Sequence, residues 1–281
     1  MKHNQLTIAT PLLLFFIFFL SLPALAGYTI VPMQFTLSGK PGETVTCTMK
    51  AENMGEETVS IKISTKDFIK GLYGEERQVE PGTVKRGCAG WIRISPQKLD
   101  LAPHETRTIN FSMTVPMDGR GTYWGNILVS QVSKPTLSKT IKKGETSFQI
   151  FALQDMLIRV LENVPGTEQK KGVITDISVK DQKTGGKATV EVIFENQGNN
   201  LLKCAGRIQI RDENGETVRT IPMEYGHAPF TVYPEGRRVV HGHIKEKLPP
   251  GDYILLAIID YGGEDLVAGE MEFEVPCIIE D

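Results

Sequence analysis

Between Phe148 and Leu161 the chain reads FQIFALQDMLIRVL, and both alternating faces of that run are apolar. Phe148, Ile150, Met156, Ile158 and Val160 fall on one side, and Phe151, Leu153, Leu157 and Leu161 on the other. A strand at the surface of a sandwich needs only one apolar face. Two apolar faces require cover on both sides, from the chain itself or from a partner. The preceding run, GTYWGNILVSQV, starts at Gly121, and the polar stretch Ser133–Thr146 that joins the two runs reads as a loop that orders when a partner strand arrives. Phe148–Leu161 is thus the candidate working edge of the protein, with Phe151, Leu153 and Leu157 as partner-binding side chains. Arg159 sits at its deep end, where it can meet a carboxylate.

The rest of the chain fits around such a strand. Nothing after residue 26 has the pattern of a long amphipathic helix. Short β-rich runs recur between Gly, Pro and Asn: YTIVPMQFTL, TVTCTMKAEN, TVSIKIST, WIRIS and TRTINFSMTV in the first half, VITDISVK, ATVEVIFEN, KCAGRIQIRD and DYILLAIIDY in the second. That spacing predicts an all-β chain of sandwich type. In TVTCTMKA the residues Val45, Cys47, Met49 and Ala51 share one face and the polar residues the other, as in a half-buried strand.

Lys2, the apolar run Leu12–Leu20 and Ala24-Leu25-Ala26 make residues 1–26 a cleavable signal peptide. The apolar run is shorter than the ~20 residues a spanning helix needs. The expected product is exported, periplasmic or secreted, with no membrane span after cleavage. It carries 30 basic against 34 acidic residues once Lys2 is removed from the 31 of the full chain. That near balance argues against a nucleic-acid partner. The expected organisation is one sandwich over 27–164, a polar Pro/Gly-containing linker over 165–172, and a second sandwich over 173–281. The halves also resemble each other. Glu52-Asn53-x-Gly55 matches Glu195-Asn196-x-Gly198, Pro103…Arg107 matches Pro234…Arg238, and Gly121-x-Tyr123 matches Gly251-x-Tyr253, in the same order.

Chemical motifs are few. Cys47 and Cys88 fall in the first half, Cys204 and Cys277 in the second. In an exported chain they are candidates for one disulfide per half, and buried free thiols are the alternative. No CxxC indicates zinc or thiol exchange. His241 and His243 alternate on one strand, with His227 upstream, but solvent-facing sheet residues explain them better than a metal site. The acidic pairs lie in turns, and no nucleophile, zincin or phosphate-binding motif is present. Trp91 and Trp124 lie inside β runs, where core packing outweighs ligand stacking. No cofactor, metal or catalytic residue is expected, and the chain does not read as an enzyme.

The run WIRISPQKLDLAPHETRTINFSMTVPMDGRGTYWGNILV resembles the PapD-like periplasmic pilus-assembly chaperones. The pieces that carry the likeness are Ile94-Ser95-Pro96, Leu101-Ala102-Pro103, Arg107, Pro116-Met117-Asp118-Gly119-Arg120 and Tyr123-Trp124-Gly125-Asn126. The resemblance implies two immunoglobulin-like β-sandwiches in tandem. It also implies a protein partner, a surface or pilus subunit, bound by β-strand addition to the last strand of the first sandwich. The resemblance also implies a basic pair that clamps the subunit's C-terminal carboxylate, one residue on the first strand and one on the last; YTIVPMQFTL has no Arg or Lys, and Arg159 alone matches the second member. The layout is also similar to WxL-associated surface proteins through GTYWGNILV and LPPGDYILLAIIDYGGEDLVAGEMEFEV, which implies an adhesive module binding cell-surface polymer.

Overall fold

The computed structural model describes residues 27–132, 136–143, 146–152, 155–183, 186–223 and 229–277, with backbone alone over 136–143 and 146–152. The proposed leader lies outside them. Among the described residues the chain is all β apart from one 3₁₀ turn, Ala89–Trp91, and no helix is long and apolar enough to cross a membrane.

The first half contributes β1 (Tyr28–Val31), β2 (Gln34–Leu37), β3 (Thr44–Asn53), β4 (Val59–Lys70), β5 (Glu76–Val79), β6 (Ile92–Ser95), β7 (Lys98–Leu101), β8 (Thr106–Thr114), β9 (Gly121–Gln131), β10 (Thr136–Lys143), β11 (Thr146–Ala152) and β12 (Asp155–Val164). One sheet runs β1-β3-β8-β6. The facing sheet runs β2-β12-β9-β4-β5, with β7 also on β4. This is the immunoglobulin arrangement, in which the first strand is divided between the two sheets. Pro32 explains the division: it has no N–H to continue a ladder, and the chain crosses from β3 to β12 at that point. Met49, Ala51, Ile109, Phe111 and Met113 from one sheet meet Ile61, Ile63, Ile127, Val129, Ile158 and Val160 from the other, all buried. Tyr28 spans the gap and donates its hydroxyl hydrogen bond to the Val129 carbonyl at 2.6 Å.

The second half contributes β13 (Gly172–Lys183), β14 (Lys187–Asn196), β15 (Leu202–Arg211), β16 (Thr217–Pro222), β17 (Phe230–Val232), β18 (Arg237–Ile244), β19 (Gly251–Asp260) and β20 (Val267–Val275). Sheet β13-β14-β18 faces β16-β15-β19-β20, with β17 on β15. Val190, Val192, Phe194 and Val240 pack against Ile208, Ile210, Leu255, Ala257 and Ile259.

The repeat read from the sequence is structural. Asn53 and Asn196 are both fully buried at the ends of β3 and β14. Each accepts a hydrogen bond on Oδ1 from the glycine two residues on, at 2.9 Å. Each donates through Nδ2 at 3.0 Å to the carbonyl of the residue two before the matched proline, Leu101 or Val232. Their own N–H groups reach the residue two after it, Glu105 or Gly236. The turns themselves match as well. Pro103-His104 and Pro234-Glu235 close with hydrogen bonds from Glu105 N–H to Ala102 and from Gly236 N–H to Tyr233. His104 and Glu235 sit at φ 58° and 60°, the left-handed value required at the third position of a type II turn. Removing either asparagine strands buried carbonyls. Asn53→Ala and Asn196→Ala are therefore each expected to cost roughly 1–3 kcal/mol, read as a shift of the denaturant midpoint.

All four cysteines are free, so the expected bonds Cys47–Cys88 and Cys204–Cys277 are not formed here. Cys47 lies on β3 in one sheet. Cys88 is bound to the other sheet, its N–H on the Trp124 carbonyl and its thiol 3.9 Å from the Val160 carbonyl. Cys204 is inside the second core, and Cys277 is exposed beyond β20. Burial raises the thiol pKa of Cys47, Cys88 and Cys204, the last to about 12. Under native conditions at neutral pH, Cys277 is expected to alkylate first, and all four thiols only after denaturation. Mass mapping of the labelled protein checks this.

Candidate functional site: the outer edge of β12

The run from Phe148 to Leu161 is two strands rather than one, β11 and β12. The stretch read as a loop is β10, paired antiparallel with β11 so that Leu137 lies opposite Phe151 and Ile141 opposite Phe148. β10 and β11 form a two-stranded sheet of their own, between β9 and β12 in the chain. Leu153 and the Phe151 side chain lie outside the described residues.

Along β12 every described residue from Asp155 to Val164 pairs with β9. The opposite edge is covered over only part of that length. The short strand β2 lies parallel to β12 and pairs with Arg159–Glu162. The Arg159 N–H donates to the Met33 carbonyl at 2.9 Å. Strand geometry repeats every two residues, so the Leu157 N–H and C=O point to the same side, beyond the end of β2. Leu157 is 37 % exposed, and the apolar residues Val31 and Met33, which lead into β2, are exposed too. Unpaired backbone flanked by apolar side chains is a template for another strand.

The deep end of β12 is closed. Leu161 is buried with Phe68, Trp124 and Tyr233 in a small core between the two sandwiches. Trp124 donates its indole hydrogen bond to the Phe68 carbonyl at 2.9 Å and meets the Tyr233 ring edge-on, with centroids 4.8 Å apart. Trp124 therefore packs as a core residue, and Trp91 lies against Tyr123 with ring centroids 4.4 Å apart. Arg159 is bound within the chain. It donates to Glu76 at 2.7 Å, to the Tyr233 hydroxyl at 2.9 Å and to Asn126 at 3.1 Å, and its guanidinium stands 4.2 Å from the Phe68 ring centroid. Burial pushes the Glu76 carboxyl up, but Lys70, Arg159 and Asn126 together outweigh it and hold the pKa below the ordinary value. The carboxylate that Arg159 meets in this structure is Glu76, a pairing that sequence spacing does not announce.

Three further ties fix the sandwiches to each other. Glu235, in the type II turn, bridges Lys85 and Arg86 at 3.1 Å. The Val239 N–H of β18 donates to the Leu72 carbonyl in the β4–β5 turn at 2.8 Å. The segment after Val164 is held by Asn199, which exchanges backbone and side-chain hydrogen bonds with Thr167 and Gln169, while its carbonyl accepts from the Thr122 N–H. The connection that follows β12 is hydrogen-bonded to both halves, through Thr167 to the Gly121 N–H and to Asn199.

The candidate histidines do not converge. The His241 and His243 rings stack side by side at 6.4 Å, His241 beside Glu191 and His243 beside Thr189. Among the described residues no group of three donors is placed to hold a metal ion. His227 lies outside the described residues.

No family model and no curated protein sequence matches the chain. Several solved structures are similar in strand arrangement. One, described as a chaperone–tip adhesin complex in CFA/I fimbriae biogenesis, aligns over 90 % of this chain and 100 % of that one, at 16 % identity and a TM-score of 0.49. The class 5 fimbriae chaperone CfaA aligns over 89 % and 100 %, at 18 % identity and a TM-score of 0.46. A CsuC–CsuE chaperone–tip subunit pre-assembly complex from Acinetobacter baumannii aligns over 76 % and 89 %, at 13 % identity and a TM-score of 0.41.

Proposed function

We propose that this chain is an exported, non-catalytic escort that holds a β-rich surface or pilus subunit through the open outer edge of β12 and the strand before it, β11. The observation that carries the reading is the incomplete cover of β12: β2 stops at Arg159 and leaves the backbone of Leu157 facing outward. A strand added there continues the row begun by β2, gains main-chain hydrogen bonds, and covers apolar side chains that an exported protein otherwise leaves to water. The leader pattern of residues 1–26 supports a periplasmic or secreted location, and the two-sandwich layout supplies a rigid backing for the edge.

The test is isolation of the mature protein from the exported fraction under mild conditions, followed by native mass measurement and peptide identification. The expected result is a one-to-one complex with an exported protein of alternating β pattern. A free chain that is instead retained on purified cell wall overturns the escort reading and supports polymer adhesion.

A further inference from the structure

We infer that the cleft where the end of β12 meets the start of β15 binds the acetamido group of an N-acetylated amino sugar. A count of protons carries this. Thr122 of β9 is fully buried, and its hydroxyl oxygen lies 2.7 Å from Asn163 Oδ1 of β12 and 2.7 Å from Asn200 Oδ1, just ahead of β15. The same oxygen accepts the Leu201 N–H at 2.9 Å. A hydroxyl has one proton, so it donates to one of the two amides only. The other amide turns its NH₂ toward Thr122 and fills the second lone pair of that oxygen. Whichever amide turns, one of the pair then offers an NH₂ on the side away from Thr122 and the other offers an oxygen.

Both asparagines line a cavity of about 300 Å³. It therefore holds a hydrogen-bond donor beside an acceptor, held in place by one buried hydroxyl. A secondary amide answers both, since its C=O accepts and its N–H donates. Leu161 and Leu201 add an apolar patch to the same lining, where a methyl group is covered. Glu168 and Lys203 bring one charge of each sign, so the lining as a whole favours a neutral ligand over an ion. Together with two polar residues of β2 they offer donors and acceptors to ring hydroxyls. The volume is at the small end for ligand cavities and admits a single sugar ring. Thr122 and Asn163 belong to the first sandwich, Asn200 and Leu201 to the second, so such a ligand ties the two together and stabilises their present arrangement. This site and the β12 edge are separate, and either can fail without the other.

The probe is N-acetylglucosamine titrated into the full mature chain, read by the NMR shifts of the Thr122 and Leu201 amides. The expected result is a saturable shift of both. Glucose and glucosamine, which lack the acetamido group, are expected to bind more weakly by about tenfold or more. Asn200→Asp keeps the shape but replaces the NH₂ by a second oxygen, which leaves two acceptors and no donor in the cavity. It is expected to weaken N-acetylglucosamine by a similar factor. Where Asn200→Asp fails to fold, the comparison of the three sugars on the unaltered chain decides. No saturable shift up to the solubility limit, equal binding of glucose, or undiminished binding by folded Asn200→Asp overturns the proposal. Tighter binding of N-acetylalanine methylamide also overturns it, in favour of a peptide ligand.

Discussion

Replacement of Leu157 by aspartate is expected to abolish partner capture while both sandwiches stay folded. Leu157 faces outward from β12 and is partly exposed, so the cost to the free protein is that of a surface change, within about 0.5 kcal/mol. A charge on an open edge is the device by which natural sheets refuse further strands. Loss of the apolar contact together with the buried charge should weaken the complex by about 100-fold or more, close to 3 kcal/mol. Leu157→Pro separates backbone from side chain. Its missing N–H is one that faces the open side, so the sheet should survive and capture should still be lost. Phe151→Asp should act in the same direction. Met117→Asp, at another exposed apolar position, should do nothing. Co-purification yields and affinity measurements with circular dichroism controls check the set. Capture unchanged in folded Leu157→Asp and Leu157→Pro would falsify the edge mechanism.

The second large effect is expected at Trp124. It is buried between the sandwiches, and Trp124→Ala removes its ring contacts with Phe68 and Tyr233 along with the hydrogen bond to the Phe68 carbonyl. A buried tryptophan truncated to alanine costs about 3–5 kcal/mol. Because this core joins the two halves, the loss should appear as uncoupling, with one calorimetric transition in the parent and two in the variant. Arg159→Ala should act in the same direction but more weakly, since Lys70 still pairs with Glu76. The same contacts give a pH signature. The Glu76 and Glu235 carboxyls are both held below their ordinary pKa in the folded state. Their contribution is therefore present above the unfolded value and is lost as pH falls through the folded one. Domain coupling should weaken on acidification, and Glu76→Gln with Glu235→Gln should remove most of that dependence.

Strands were legible wherever side chains alternate. TVTCTMKAEN and ATVEVIFEN reveal both their faces and their shared ending, because the buried asparagine that ends each is followed by the glycine it binds. TLSKTIKK reads as loop because its two threonines and three lysines give little apolar alternation; the strand exists through its backbone pairing with β11. The site divided in the same way. Leu157 and Arg159 were visible as residues of an unusual strand. The partners of Arg159 were not, since Glu76 is 83 positions away and Tyr233 is 74. Glu76 lies on another strand of the same sandwich and Tyr233 in the other sandwich, and no local pattern marks either contact.

The dual membership of β12 has a mechanical consequence. One end of the strand carries the open edge to which the proposed partner would add, its flank is bonded to β9 across ten residue pairs, and its far end is anchored by Arg159 and Leu161 in the interdomain core. A pull on a bound strand along its own axis loads those ten pairs in shear, all together, rather than peeling them one at a time. A partner strand added to the outer edge would find only the part of β12 that β2 leaves uncovered, since β2 already takes Arg159–Glu162. Under tension the cargo should slip from the edge before β12 leaves its sheet, so the chain can release its load and return to use intact.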